Sequence, residues 1–274
     1  MMFEKGVYGD RPRLPYRLFK PSITESCQGL YIDPDSDTDK NSGMKETISK
    51  TENSGKVPLV LYLHGADAFG DDNESQISLH DIGTVLTRPA MQSKHPCYVL
   101  APQCGPGSNS YLHHQASDVI CELIHDLVQK EGRVDTDRLY IYGYSAGAAR
   151  TFAILKENPG MFAAAIAICG ATDKLGAKKL AHIPLRLFHA SDDIIVKSTY
   201  KTPHDPDPVY YGSADLYSFL KDKSQDIGYT EYPSGYMNEH YEINAHCSWV
   251  AVTEDADVWE WLFTNRLNQS VCLT

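Results

Sequence analysis

The stretch Arg138-Leu-Tyr-Ile-Tyr-Gly-Tyr-Ser-Ala-Gly-Ala-Ala149 constrains this chain more than any other. Leu139 to Tyr142 is a short apolar and aromatic run that reads as a buried strand. A helix-compatible segment follows to about Glu157, and Gly143-Tyr-Ser145-Ala-Gly147 lies between the two. Gly-x-Ser-x-Gly at a strand-to-helix junction makes a tight, strained turn that lifts its serine above the sheet edge. The glycines leave room where the turn crowds against a neighbouring strand and helix, and Ala146, Ala148 and Ala149 keep the first helical turn thin. A five-residue pattern this loose also fits an ordinary glycine-rich turn, so the rest of the chain has to decide.

Other strands read from short apolar runs at Tyr16–Pro21, Val57–Leu63, Tyr98–Ala101, Phe162–Ile168, Pro184–His189 and Tyr229–Pro233. The run at Val57–Leu63 is continuous, as in a strand buried on both faces of a parallel sheet. Between them, apolar positions 119, 120, 123, 124, 127 and 128 fall at helical spacing, and Gly132 closes that helix. Further helices are expected at Ala214–Lys223 and Glu254–Leu267, the latter with Val258, Trp261 and Leu262 on one side. Residues 1–14 read as an extended lead-in, 33–56 as a solvated, mobile insertion, and 234–244 as an insertion after the last strand. Strands alternating with helices predict a single α/β domain over residues 1–274, with a mostly parallel sheet covered on both faces. Ligands of such sheets bind beyond the carboxyl ends of the strands. His64, Ser145, Cys169, Asp193 and His246 all fall there.

Composition narrows the partners. With 25 basic and 36 acidic residues the net charge is −11, and no basic block exists to neutralise phosphates, which argues against nucleic acid and anionic membrane surfaces. Seven cysteines, Cys27, Cys97, Cys104, Cys121, Cys169, Cys247 and Cys272, form no Cys-x-x-Cys pair. They read as reduced thiols, with a Cys97–Cys104 disulfide as the alternative. The N-terminus lacks the apolar core of a signal peptide and no run reaches transmembrane length, so a soluble, cytoplasmic protein is expected. His113-His114 and His204-Asp205 have no third ligand at usable spacing, so neither a metal nor another cofactor is expected. No feature of the sequence bears on oligomeric state.

A serine hydroxyl needs a base to take its proton and a carboxylate to orient that base. Asp192-Asp193 lies at a strand end downstream of Ser145, and the histidines available are His189, His204, His240 and His246. His64-Gly65-Ala66 with Gly70-Asp-Asp-Asn73, then Ala101-Pro-Gln103, Gly143-Tyr-Ser-Ala-Gly147, His189-Ala-Ser-Asp-Asp193-Ile-Ile-Val196 and Tyr229-Thr-Glu-Tyr-Pro233 ahead of His246-Cys-Ser-Trp249 appear in that order. Together they resemble the α/β-hydrolase superfamily over roughly residues 57–265. Within it they resemble the esterase and "predicted peptidase" group near polyhydroxybutyrate depolymerase, feruloyl esterase and dienelactone-hydrolase-like proteins.

That resemblance implies the α/β-hydrolase fold, with Ser145 as nucleophile, Asp193 as acid and His246 as base. Asp192 would be a loop-exposed neighbour and His240 the rival base. The amide of Ala146, after the nucleophile, and that of Ala66 would form the oxyanion hole, with His64 bracing the loop. Tyr144 and Trp249 are candidates for an acyl or alcohol pocket, and Pro203–Tyr211 for a pocket wall or a surface loop. Two loops depart from the pattern: Ala66-Asp-Ala-Phe-Gly70, and Cys104-Gly-Pro-Gly-Ser-Asn-Ser-Tyr111, which lacks the tryptophan often found near it. The implied activity is serine-dependent cleavage of a small-molecule carboxylic ester through an acyl-enzyme. A peptidase, amidase or acyltransferase on the same residues is the alternative, and a non-catalytic binding protein of the same fold is the reading from another class.

Overall fold

Every side chain of Val57–Leu63 is buried, which a strand achieves only with a layer packed on each face. The structure, a computed structural model, describes residues 2–9, 13–22, 55–105, 114–224 and 226–267. The strands are β1 (Glu4–Tyr8), β2 (Leu14–Phe19), β3 (Val57–Leu63), β4 (Tyr98–Pro102), β5 (Val134–Tyr144), β6 (Ala164–Ile168), β7 (Ala171–Asp173), β8 (Leu185–Ala190), β9 (Tyr210–Gly212) and β10 (Ile227–Tyr232). Eight of them make one sheet in the order β1-β2-β4-β3-β5-β6-β8-β10. From β4 to β10 all neighbours run parallel, and β1 and β2 add an antiparallel margin. β7 and β9 pair apart from it as a short antiparallel ribbon.

Alternation along the central strands sorts the core into two layers. Leu59, Leu61, Leu63, Leu139 and Ile141 face an aliphatic layer with Ile120, Leu123, Ile124 and Leu127 of the helix His114–Glu131. Val60, Tyr62, Tyr140, Tyr142 and Tyr144 face an aromatic layer with Trp249, Val258 and Trp259. Phenol groups in that layer find acceptors, as buried hydroxyls must. Tyr140 Oη donates to the Asn265 carbonyl at 2.6 Å and Tyr142 Oη to the Ile82 carbonyl at 2.8 Å.

Four expectations change. The lead-in contains β1, whose exposed pattern leaves no apolar signal because backbone pairing with β2 holds it. The C-terminal helix expected at Glu254–Leu267 is Ala256–Thr264, and a further helix that the sequence did not signal, Trp249–Glu254, precedes it. They are divided by Asp255, whose side chain accepts from the Asp257 and Val258 amides. Val258 and Leu262 are buried as expected, with Trp259 in the core beside them, while Trp261 is partly buried under the Arg186 guanidinium, which lies 4.0 Å from its ring centre. Residues 234–244 contain the helix Tyr236–Tyr241, and the stretch 203–211 ends in β9. Cys97 and Cys104 are buried thiols with no disulfide between them. The mobile insertion expected at 33–56 falls outside the described residues except for Gly55 and Lys56, and His113 lies outside them altogether. No helix among the described residues is long and apolar enough to cross a membrane.

Candidate active site

Ser145 sits between the end of β5 and the helix Ala146–Glu157 with φ 53° and ψ −120°, a conformation that L side chains rarely adopt. The surroundings hold it there. Its amide donates to the Ile168 carbonyl at 2.9 Å, tying the turn to β6. A Cβ on Gly147 would lie 2.0 Å from the Leu63 carbonyl oxygen and 2.6 Å from that of His64. Only glycine lets the helix start press this closely on the end of β3 and on the His64 carbonyl that follows it.

His246 comes from a one-turn segment, Ala245–Cys247, capped by Asn244, whose side chain accepts the His246 amide at 2.9 Å. The imidazole Nε2 is 2.9 Å from Ser145 Oγ and Nδ1 is 2.7 Å from Asp193 Oδ2. Asp193 accepts only, so Nδ1 carries the proton and Nε2 is left to accept from the serine hydroxyl. Asp193 Oδ1 takes the Ile195 amide at 2.8 Å and the Val196 amide at 3.1 Å, and Oδ2 also takes His189 Nε2–H at 3.2 Å. Burial opposes the charge on Asp193. The hydrogen bonds from His189, His246 and the Ile195 amide outweigh it and hold the carboxyl well below the usual range.

The structure therefore brings together Ser145, His246 and Asp193. The rival His240 is exposed, stacked on Tyr236 with its Nδ1 donating to the Tyr236 carbonyl. Asp192 is half-buried rather than loop-exposed: its Oδ2 accepts the Gly235 amide at 2.9 Å and Ser234 Oγ at 3.2 Å. It pins the turn after β10. Ala66 and Ala146 each begin a helical turn, Ala66–Ala68 and Ala146–Glu157, where the first amides have no partner within the helix. His64 is buried, donates Nδ1–H to the Gly65 carbonyl and accepts the Cys104 amide on Nε2 at 3.0 Å. Burial pushes its pKa down to about 4, so it braces the loop as a neutral ring.

Tyr144 is buried, and its hydroxyl donates to Asp67 Oδ1 at 2.8 Å. Its ring packs 4.4 Å from that of Trp249, which in turn stands edge-on to His246 at 5.7 Å. Trp249 also walls a cleft of about 430 Å³ with Leu79, His80, Ile82, Val250 and Thr253. Among the described residues no group of three His, Cys, Asp or Glu side chains could hold a metal ion.

A strained serine after β5, a histidine and an acid presented beyond the strands' carboxyl ends, and the order of the strands decide the fold. This chain is an α/β-hydrolase by fold. A solved structure described as a thermostable esterase superposes with TM-score 0.74 at 32% identity, covering 96% of this chain and 63% of that one. The poly(3-hydroxybutyrate) depolymerase LpqC of Bordetella parapertussis shares the fold at TM-score 0.54 and 15% identity, over 95% and 94% of the two chains. A bifunctional acetylxylan esterase/xylanase of Neocallimastix patriciarum is 29% identical over 143 residues, half of this α/β-hydrolase and 20% of the longer enzyme. The model of the prolyl oligopeptidase family matches residues 108–202. The chain thus spans under two thirds of the esterase and a fifth of the bifunctional enzyme.

Residue types alone gave no role to several groups of the site. Gln103 is fully buried; its Nε2 donates to the Ala68 carbonyl at 3.2 Å and to Asp72 Oδ1 at 3.0 Å, and its Oε1 accepts the Asn73 amide. His189 donates to Asp193 and the Val196 carbonyl while Nδ1 accepts Ser213 Oγ–H at 2.8 Å. Asp67 and His80 pair at 2.6 Å. Gln103 and His189 stand inside the motifs Ala101-Pro-Gln103 and His189-Ala-Ser-Asp-Asp193, but only their contacts reveal a function. His80 had no signal at all.

Proposed function

We propose that this α/β-hydrolase cleaves carboxylic esters through an acyl-enzyme. The observation that carries the reading is the Ser145–His246–Asp193 hydrogen-bond chain at 2.9 and 2.7 Å. Ser145 Oγ attacks the carbonyl carbon as its proton passes to His246 Nε2. Asp193 stabilises the imidazolium without taking a proton. The Ala66 and Ala146 amides receive the oxyanion, a contribution of roughly 3 kcal/mol for each donor. His246 returns its proton to the leaving alkoxide as the C–O bond breaks. Water then enters, gives a proton to His246, attacks the acyl carbon and releases the acid, and the proton goes back to Ser145.

An ester is favoured because both the thermostable esterase and the acetylxylan esterase/xylanase, the relatives of highest identity above, carry that activity in their names. The cleft beside Trp249 is lined by Asp81, Arg88 and Glu254 as well as by Leu79, Ile82 and Val250, so it suits a substrate that carries both polar and apolar groups. The match to the prolyl oligopeptidase family supports amide cleavage on the same residues as the second reading. A panel of p-nitrophenyl esters of rising chain length, a feruloyl ester and a peptide p-nitroanilide separates them. Turnover of esters with little of the anilide is expected, together with labelling by a fluorophosphonate that Ser145→Ala abolishes. Preferred turnover of the anilide would overturn the ester reading; wild type that is folded yet unlabelled would overturn the hydrolase.

A further inference from the structure

Ala66 lies in a single turn, Ala66–Ala68, whose internal bonds are long: Ala68 N–H to the Gly65 carbonyl at 3.3 Å and Phe69 N–H to the Ala66 carbonyl at 3.2 Å. Ala68 is buried and its carbonyl takes Gln103 Nε2–H, which anchors the far end of the turn, whereas Ala66 and Asp67 are exposed and packing does not orient the Ala66 amide. Two amides can serve one oxyanion only if they are held in mutual register before the charge develops. Something outside the turn must set that register.

Asp67 makes the connection. Its Oδ1 accepts from Tyr144 Oη at 2.8 Å and its Oδ2 from His80 Nε2 at 2.6 Å. Tyr144 directly precedes Ser145, and burial pushes its hydroxyl well above the usual phenol range, so it remains a donor. Gly65 lies against the same ring: a Cβ there would be 2.4 Å from Tyr144 Cε2. His80 packs 5.1 Å from Trp249, the residue edge-on to His246. Burial opposes ionisation of Asp67, but the bonds from His80 and Tyr144 win and hold the carboxyl low. A charged, half-exposed side chain is therefore committed to two donors, one on the elbow and one from the turn after Leu79.

We propose that Asp67 is a positioning residue that clamps the Ala66 turn to the nucleophile elbow through Tyr144 and so fixes the oxyanion hole. This rests on the roles given above to Ser145, Ala66 and Ala146. Asp67 touches no reacting atom; it acts through the Ala66 amide. Loss of the clamp lets that amide drift, and a displacement approaching 1 Å costs up to about a hundredfold in rate.

The test compares Asp67→Ala, Asp67→Asn, Tyr144→Phe and the Asp67→Ala/Tyr144→Phe double variant on p-nitrophenyl acetate. An alkyl trifluoromethyl ketone serves as the probe of the oxyanion hole and its unreactive methylene analogue as the ground-state control. For Asp67→Ala, kcat is expected to fall about 10- to 100-fold with KM within about threefold. The ketone should weaken by the same factor while the methylene analogue binds as before. Asp67→Asn, which keeps an acceptor for Tyr144 and presents its NH₂ to His80 Nε2, a nitrogen that accepts once the ring proton sits on Nδ1, is expected to restore most of kcat. The double variant should lose no more than Asp67→Ala, because both remove one contact. Unchanged ketone affinity in Asp67→Ala, an Asn variant no better than Ala, or a loss carried by KM alone would overturn the clamp. Should Asp67→Ala fail to fold, Tyr144→Phe, which removes one oxygen, decides by the same readouts. Fluorophosphonate labelling keeps the two readings apart: an unlabelled wild type sinks the reaction, whereas a labelled wild type with an unaltered oxyanion hole in the variants sinks only the clamp.

Discussion

Asp193 uses all its accepting capacity on four donors, two backbone amides on Oδ1 and two imidazoles on Oδ2. Asparagine cannot reproduce this, because its NH₂ must face either the amides or the rings. Asp193→Asn is expected to lower kcat by about 10⁴-fold, checked by steady-state kinetics on the best ester of the panel. The charge was legible as one of a pair, Asp192-Asp193, at a strand end, and the chain order Ser, Asp, His marked its partners. The division of labour within the pair was not legible. Asp192 spends its carboxylate on Gly235 and Ser234, residues more than forty positions away, and no local pattern announces such a contact. Asp67 and Tyr144 meet across 77 residues for the same reason. Tyr144 reads in sequence as a pocket or a core aromatic; the structure buries it, and its bond to Asp67 had no signal.

At the scale of elements, β3 and β4 end in loops that a single neutral histidine joins. His64 accepts the Cys104 amide on Nε2, and a second proton on the ring would delete that acceptor. Its folded pKa, about 4, is below the ordinary 6.5. The unfolded chain therefore binds the proton more readily in that interval. The stability this group contributes is complete above pH 6.5 and is lost as pH falls through 4. Between pH 7 and pH 5 the loss amounts to about 2 kcal/mol, or roughly 5 °C in Tm. Calorimetry of wild type against His64→Asn checks it: the variant starts lower and its Tm changes less over that range. The strands themselves were readable, since continuous apolar runs signal burial on both faces. β1 escaped because an edge strand held by backbone bonds need not be apolar. The final helix was legible at Val258 and Leu262, but two tryptophans two positions apart left open which one enters the core, and the structure buries Trp259.

For the whole molecule, the parallel sheet from β4 to β10 makes each strand's neighbour distant in sequence, and the site collects its parts from the ends of those strands. Ser145 and His246 are 101 residues apart and Asp193 and His246 are 53 apart. Mostly non-local pairing of this kind folds slowly, since loop closure precedes the contacts that reward it. His246 follows the last strand, and its one-turn segment packs on the helix Tyr236–Tyr241 and on β8, so it settles once those elements are in place. The hydrogen-bond chain thus becomes a clock for the end of folding. After dilution from denaturant, far-UV ellipticity should return first and fluorophosphonate labelling of Ser145 last, with a lag that the Asp193→Asn variant cannot report. A stalled chain would be sheet-rich yet chemically silent.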